Sequence, residues 1–193
     1  MAQLAATHAV GESIATFLRN TYPEPLRSDH PFSFTLATSD DLSNDDPFDA
    51  DTVSIFLYRI AVDQYLHPGG TSIRRNESPR ALPLDLHYMV SAWTANDFAE
   101  HTVMTWVMAQ LHWHPVLDRS NLSASGGWAP ADTVQVTPSN ISQEDLTRIW
   151  DVLAPNYRLS TTYVARVVHI DPPDGQDHRP VVAKRFSYEE MEA

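Results

Sequence analysis

Between Leu82 and Ala92, apolar Leu82, Leu84, Leu86, Tyr88, Val90 and Ala92 alternate with Pro83, Asp85, His87, Met89 and Ser91. Successive side chains of a strand point to opposite faces, so this period of two predicts a β-strand with one face on a core. A second run, Val53 to Val62, is rich in β-branched and aromatic residues and is apolar at both parities. That pattern predicts a central strand covered on both sides. Phe32, Phe34 and Leu36 alternating with Ser33, Thr35 and Ala37 predict a shorter strand, and Val134–Val136 and Tyr163–Ile170 predict two more.

Helical spacing interrupts these strands in three places. Leu4, Ile14, Phe17 and Leu18 fall on one face of a first helix that Pro23 and Pro25 end. Asn96 or Asp97 can cap a second helix, about Phe98 to Trp113, with Val103, Trp106, Val107, Gln110 and Leu111 as its buried stripe and Pro115 as its stop. Ser142 and Asp145 form a capping box ahead of Leu146, Ile149, Trp150 and Leu153. Strands and helices mixed with hairpin connections predict an α+β fold, a mostly antiparallel sheet packed with about three helices. One such domain is expected over residues 1–171. Asp171-Pro172-Pro173-Asp174-Gly175 then reads as a linker, and Val181 to Tyr188 as a further extended segment, so residues 172–193 form a linker and C-terminal arm. The stretch 67–81, with Arg74, Arg75 and Arg80, reads as a long hairpin connection.

Composition excludes several functions. The chain has 193 residues and no cysteine, which removes disulfides, thiolate nucleophiles and sulfur-ligated zinc. Thirteen Lys and Arg against 25 Asp and Glu leave a net charge of −12. A field of that sign repels phosphate backbones and anionic lipid, so no nucleic-acid partner is expected. No apolar stretch approaches the roughly 20 residues that span a bilayer, and no basic n-region precedes an apolar core at the N-terminus, so neither membrane insertion nor a signal peptide is expected.

Searches for chemistry return no constellation. His112 and His114 lie two apart at a helix end, with His101 three turns earlier, a spacing that does not converge three ligands on one metal. The acidic loop at 39–51 fails the calcium-loop pattern: counted from Asp41, Asp46 stands where glycine is required and Thr52 where glutamate is. Ser125-Gly126-Gly127 lacks the glycine that opens a nucleophile elbow, and Gly69-Gly70-Thr71-Ser72 lacks the lysine of a phosphate loop. No catalytic residue, metal or cofactor is therefore expected. Among the five tryptophans, Trp128 stands in a Gly-rich loop, either tucked beneath it or offered to a partner.

Three segments taken in order carry a resemblance: Pro83 to Trp93; Glu100-His101 through Trp106 to Leu117; and Leu146 to Trp150 with Tyr157 to Asp171. They resemble the N-terminal domain of the cap, or tail-terminator, proteins of extracellular contractile injection systems of the antifeeding-prophage type. The resemblance implies a fold like that of phage tail-terminator domains. It also implies a structural rather than enzymatic role: a ring, six-fold to match the tube and sheath, that docks on the last sheath and inner-tube rings and ends polymerisation. Such a subunit would assemble in the cytoplasm and join a particle that can be released. A tail-completion protein of a true bacteriophage, or a small hydrolase-type enzyme, are the alternatives. The expected contact surfaces are Trp128, the acidic loop with Asp45 and Asp46, and the arm with Val182, Lys184, Phe186 and Tyr188.

Overall fold

The computed structural model describes residues 3–44, 47–48, 51–63 and 81–170. The order of elements is α1 (Ala6–Thr21), α2 (Leu26–Asp29), β1 (Ser33–Ala37), β2 (Thr52–Val62), β3 (Leu82–Trp93), α3 (Asp97–Trp113), β4 (Val116–Leu117), β5 (Val134–Pro138), α4 (Gln143–Asp151) and β6 (Ser160–Ile170). The six strands form one sheet in the order β1-β2-β3-β6-β5-β4. Four of its pairings are antiparallel and one, β1 with β2, is parallel. This is the expected α+β fold, with three helices longer than α2's single turn. The connection 67–80 and the arm 172–193 lie outside the described residues.

Alternation along β3 sends its side chains into two cores. Leu84, Leu86, Tyr88, Val90 and Ala92 join the larger one with Val10, Ile14, Phe17 and Leu18 of α1 and Val103, Met104, Val107 and Leu111 of α3. Met89 and Trp93 join the smaller one with Leu146 and Trp150 of α4 and with Leu42. Each β3 residue from Tyr88 to Trp93 is buried, so the strand is sandwiched at this end.

Local signals set the helix ends. The Asn96 side chain accepts from the Ala99 backbone N–H at 3.2 Å, so Asn96 rather than Asp97 is the cap of α3. Ser142 Oγ accepts from the Asp145 N–H at 3.0 Å and donates to the Asp145 carboxylate at 2.7 Å, which fixes the start of α4.

Four expectations need correction. Leu4 precedes α1 and is 83% exposed, so it does not belong to the buried face. In α3, Met104 is buried, while Trp106 and Gln110 are only half-buried. Trp106 instead closes the rim of the core, stacking edge-on against Tyr22 and Phe34 with ring centres 4.9 and 5.7 Å away. Finally, β2 is not covered along its whole length. Val53 and Ile55 are fully buried, but Ile60 and Val62 are 52% and 44% exposed. Burial lapses because β1 pairs with β2 only from Thr52 to Phe56 and ends at Ala37.

Leu86 touches the larger core from the middle of the central strand and is fully buried. Leu86→Ala is expected to destabilise the domain by about 2–5 kcal/mol, because the rigid sheet cannot collapse onto the cavity. Urea unfolding checks this; a loss below 1 kcal/mol would contradict the packing described.

Candidate assembly interface

The loop bearing Trp128 is built onto α1. The Ser123 N–H donates to Ser13 Oγ at 2.8 Å, Ser123 Oγ donates to the Glu12 carboxylate at 2.8 Å, and the Gln3 N–H donates to the Gly126 carbonyl at 3.0 Å. Trp128 folds back over its own loop. Its indole N–H donates to the Ser123 carbonyl at 2.8 Å, and its ring packs on the larger core. A Cβ at Gly126 would stand 2.4 Å from that ring, so only glycine admits the indole there. Gly127 takes a φ of +66°, the left-handed region that glycine reaches without penalty. Trp128 is thus half-buried, with its polar atom satisfied internally.

The described part of the acidic loop is anchored. Asp41 accepts from the Thr38 N–H and hydroxyl at 2.7 and 2.8 Å, and these bonds hold its carboxyl below the usual carboxylate range. Leu42 is buried, and Phe48 meets the Trp93 ring edge-on at 5.2 Å. Asp45, Asp46, Val182, Lys184, Phe186 and Tyr188 all lie outside the described residues.

The structure adds a surface that the sequence reading passed over. On the outer side of α3, Phe98, Met108 and Trp113 are 67%, 50% and 70% exposed. A signal was present: no Asp, Glu, Lys or Arg occurs between His101 and Leu117. A solvent-facing helix normally carries charge on that side, and its absence leaves a near-neutral apolar face. His101 and His112 are exposed on this helix, and among the described residues no three metal-ligating side chains converge.

On the sheet face away from α1 and α3, Asp85 and His87 project beyond the reach of α4. Arg166 Nε lies 3.7 Å from Asp85 Oδ2, and the Tyr58 ring sits 6.0 Å from His87. Burial pushes the Asp85 carboxyl above its ordinary value, against the pull of Arg166, and lowers His87 by the same cause, with Arg59 adding to it. The groove lined by Asp118, Arg119, Ser120 and Asp132 is open, as is that lined by Arg19, Arg27 and Phe34. In the latter, Arg19 donates to the Phe34 carbonyl of the edge strand at 2.5 Å and Arg27 to the Arg19 carbonyl at 3.1 Å. Neither groove gathers a nucleophile, a base and an orienting group. Among the described residues no helix is long and apolar enough to cross a membrane.

The sequence profile of the Pvc16 N-terminal domain matches residues 9–184. Two solved structures share the fold. One is the sheath/tube terminator of an extracellular contractile injection system, PVC, in its extended state, 24% identical with a TM-score of 0.54, covering 96% of this chain and 64% of that one. The other is the tube-terminating cap of the anti-feeding prophage, 19% identical with a TM-score of 0.50, covering 89% of this chain and 60% of that one. The chain therefore spans less than two thirds of either. No curated protein matches its sequence.

Because the folded Asp85 binds its proton more readily than the unfolded chain does, its stabilising contribution is complete below the unfolded pKa. It is lost as pH rises through the raised folded value. Asp85→Asn is accordingly expected to be more stable than the parent at pH 7, with the gain shrinking towards pH 3. Paired urea titrations across that range check the sign; a variant less stable at pH 7 would mean that the Arg166 ion pair outweighs desolvation.

Proposed function

Because the chain belongs to the family of the Pvc16 N-terminal domain, we propose that it is a structural terminator of a phage-tail-like contractile particle. It docks on the last sheath and inner-tube rings, ends polymerisation and holds the extended state. The observation that carries this reading is the family match across residues 9–184, joined to a fold shared with two terminators along most of this chain. In this reading the chain forms a ring of copies, six to match the tube and sheath, assembles in the cytoplasm and leaves as part of the particle.

The described surface supports an assembly role over catalysis. It offers an apolar helix face and open grooves rather than a converging set of reactive groups. The chemistry of a cap is adhesion, which needs complementary area and backbone hydrogen bonds. The work of a non-enzymatic subunit then falls to four surfaces: the outer side of α3, the Trp128 loop, the acidic loop, and residues 178–190 as an arm. The net charge of −12 keeps unassembled copies apart and soluble, and makes nucleic acid a poor partner.

The direct test is electron microscopy of particles assembled without the chain. Sheaths of uncontrolled length, or sheaths that fall apart, are expected; particles of normal length and stability would refute the role. A chain ending at Asp174 is expected to fold with an unchanged melting temperature yet fail to restore capping, and normal capping by it would remove the arm.

A further inference from the structure

The sheet has an unfinished lane. On the outer side of β2, β1 pairs with Thr52–Phe56, and its chain then leaves the sheet through the turn at Asp41–Ser43. From Leu57 to Val62, β2 keeps β3 on one side, and among the described residues no strand pairs with the other. The side chains report the same gap: those from Thr52 to Ile55 are buried, those from Phe56 onwards half-buried or exposed. An unpaired strand edge presents N–H and C=O groups spaced to receive another strand. Among the described residues the other edges offer shorter stretches: β6 runs past β5 only from Val167 to Ile170. Arg19 occupies a carbonyl of β1, and β4 pairs through only two residues.

Ile60 and Val62 stand opposite Leu86 and Leu84 in register, so they extend the apolar face of the larger core to the rim of this lane. A strand laid beside them must carry apolar residues at alternate positions. Residues 181–188 do so at three of four positions: Val182, Phe186 and Tyr188 share one parity, with Lys184 the exception. Charge agrees as well. From Arg179 to Tyr188 there are three cations and no acid, while Asp40 and Asp41 stand where β1 leaves the lane and Asp63 follows Val62 at its far end. Arg59, exposed on the opposite parity, opposes that attraction in part.

We propose that the edge of β2 at Leu57–Val62, unpaired among the described residues, receives residues 181–188 of a neighbouring copy, added as an outer strand. This rests on the terminator reading and names the acceptor of its arm. The chain leaves β6 at Ile170, in register with Leu82 and therefore at the same end of the sheet as Val62. Ten residues, 171–180, link that point to the donor strand and reach up to about 33 Å. Three prolines in ten residues, Pro172, Pro173 and Pro180, are a composition that favours extended backbone. Each copy then gives one strand and takes one. Such a head-to-tail contact closes into a ring when its rotation allows.

The chain has no cysteine, which makes cross-linking unambiguous. Cells producing the particles would co-express an Ile60→Cys chain with a second chain bearing one cysteine at position 182, 184, 186 or 188, followed by mild oxidation and immunoblotting. A reducible band at twice the monomer mass is expected for one or two of the four positions. It should be at least tenfold stronger than in the Val116→Cys control, whose cysteine is also exposed but lies on β4 at the opposite edge of the sheet. No band above that control at any position would overturn the proposal. So would a disulfide that forms only within a single chain carrying both cysteines. Capping, scored separately by sheath length in cells lacking the chain, would still stand or fall on its own.

Discussion

Pairing of β3 with β2 on one side and β6 on the other is the contact on which everything else is hung. Long registers run along both sides of β3, from Leu84 to Trp93 against β2 and from Leu82 to Ser91 against β6. Alternation along β3 then fixes which layer each helix can join. One parity demands α1 and α3, the other demands α4, and a slip of one residue would exchange the two cores. Trp93 locks that register, since its indole N–H donates to Ser54 Oγ on β2 at 2.8 Å while its ring meets Phe48 and Trp150.

What the sheet leaves uncovered follows from the same arithmetic. Past Phe56 β2 loses its cover, while Leu84 of β3 and Val168 and Ile170 of β6 at the same end stay buried in the larger core. At that end lie Ile60 and Val62 on one face and the Asp85–Arg166 pair on the other. The exposed apolar groups at this end lie along a strand edge, and others lie on α3.

Much of this was legible in the sequence, for physical reasons that differ by element. The β3 strand, the α4 capping box and the α3 cap are local: period, polar oxygen and helix start all sit within a few residues. The parallel β1–β2 pair, the two-residue β4 and the bared end of β2 are not. Whether Ile60 is covered depends on where β1 stops, a fact set more than twenty residues away and invisible to periodicity. The expectation of a fully covered β2 failed for that reason. Trp128 was undecided because loop tucking depends on Gly126 and on Ser123, which α1 holds from a distance in sequence. On α3 the want of charge between His101 and Leu117 is local and legible, but whether those side chains are buried or exposed is set by packing against α1 and the sheet.

The proposed role is positional: a terminator would sit at one end of the particle and nowhere else. Gold labelling of an epitope-tagged chain on intact, extended particles measures it most directly. The account predicts label confined to the end opposite the baseplate, on nearly every particle. Label distributed along the sheath, at the baseplate, or absent from washed particles would contradict it.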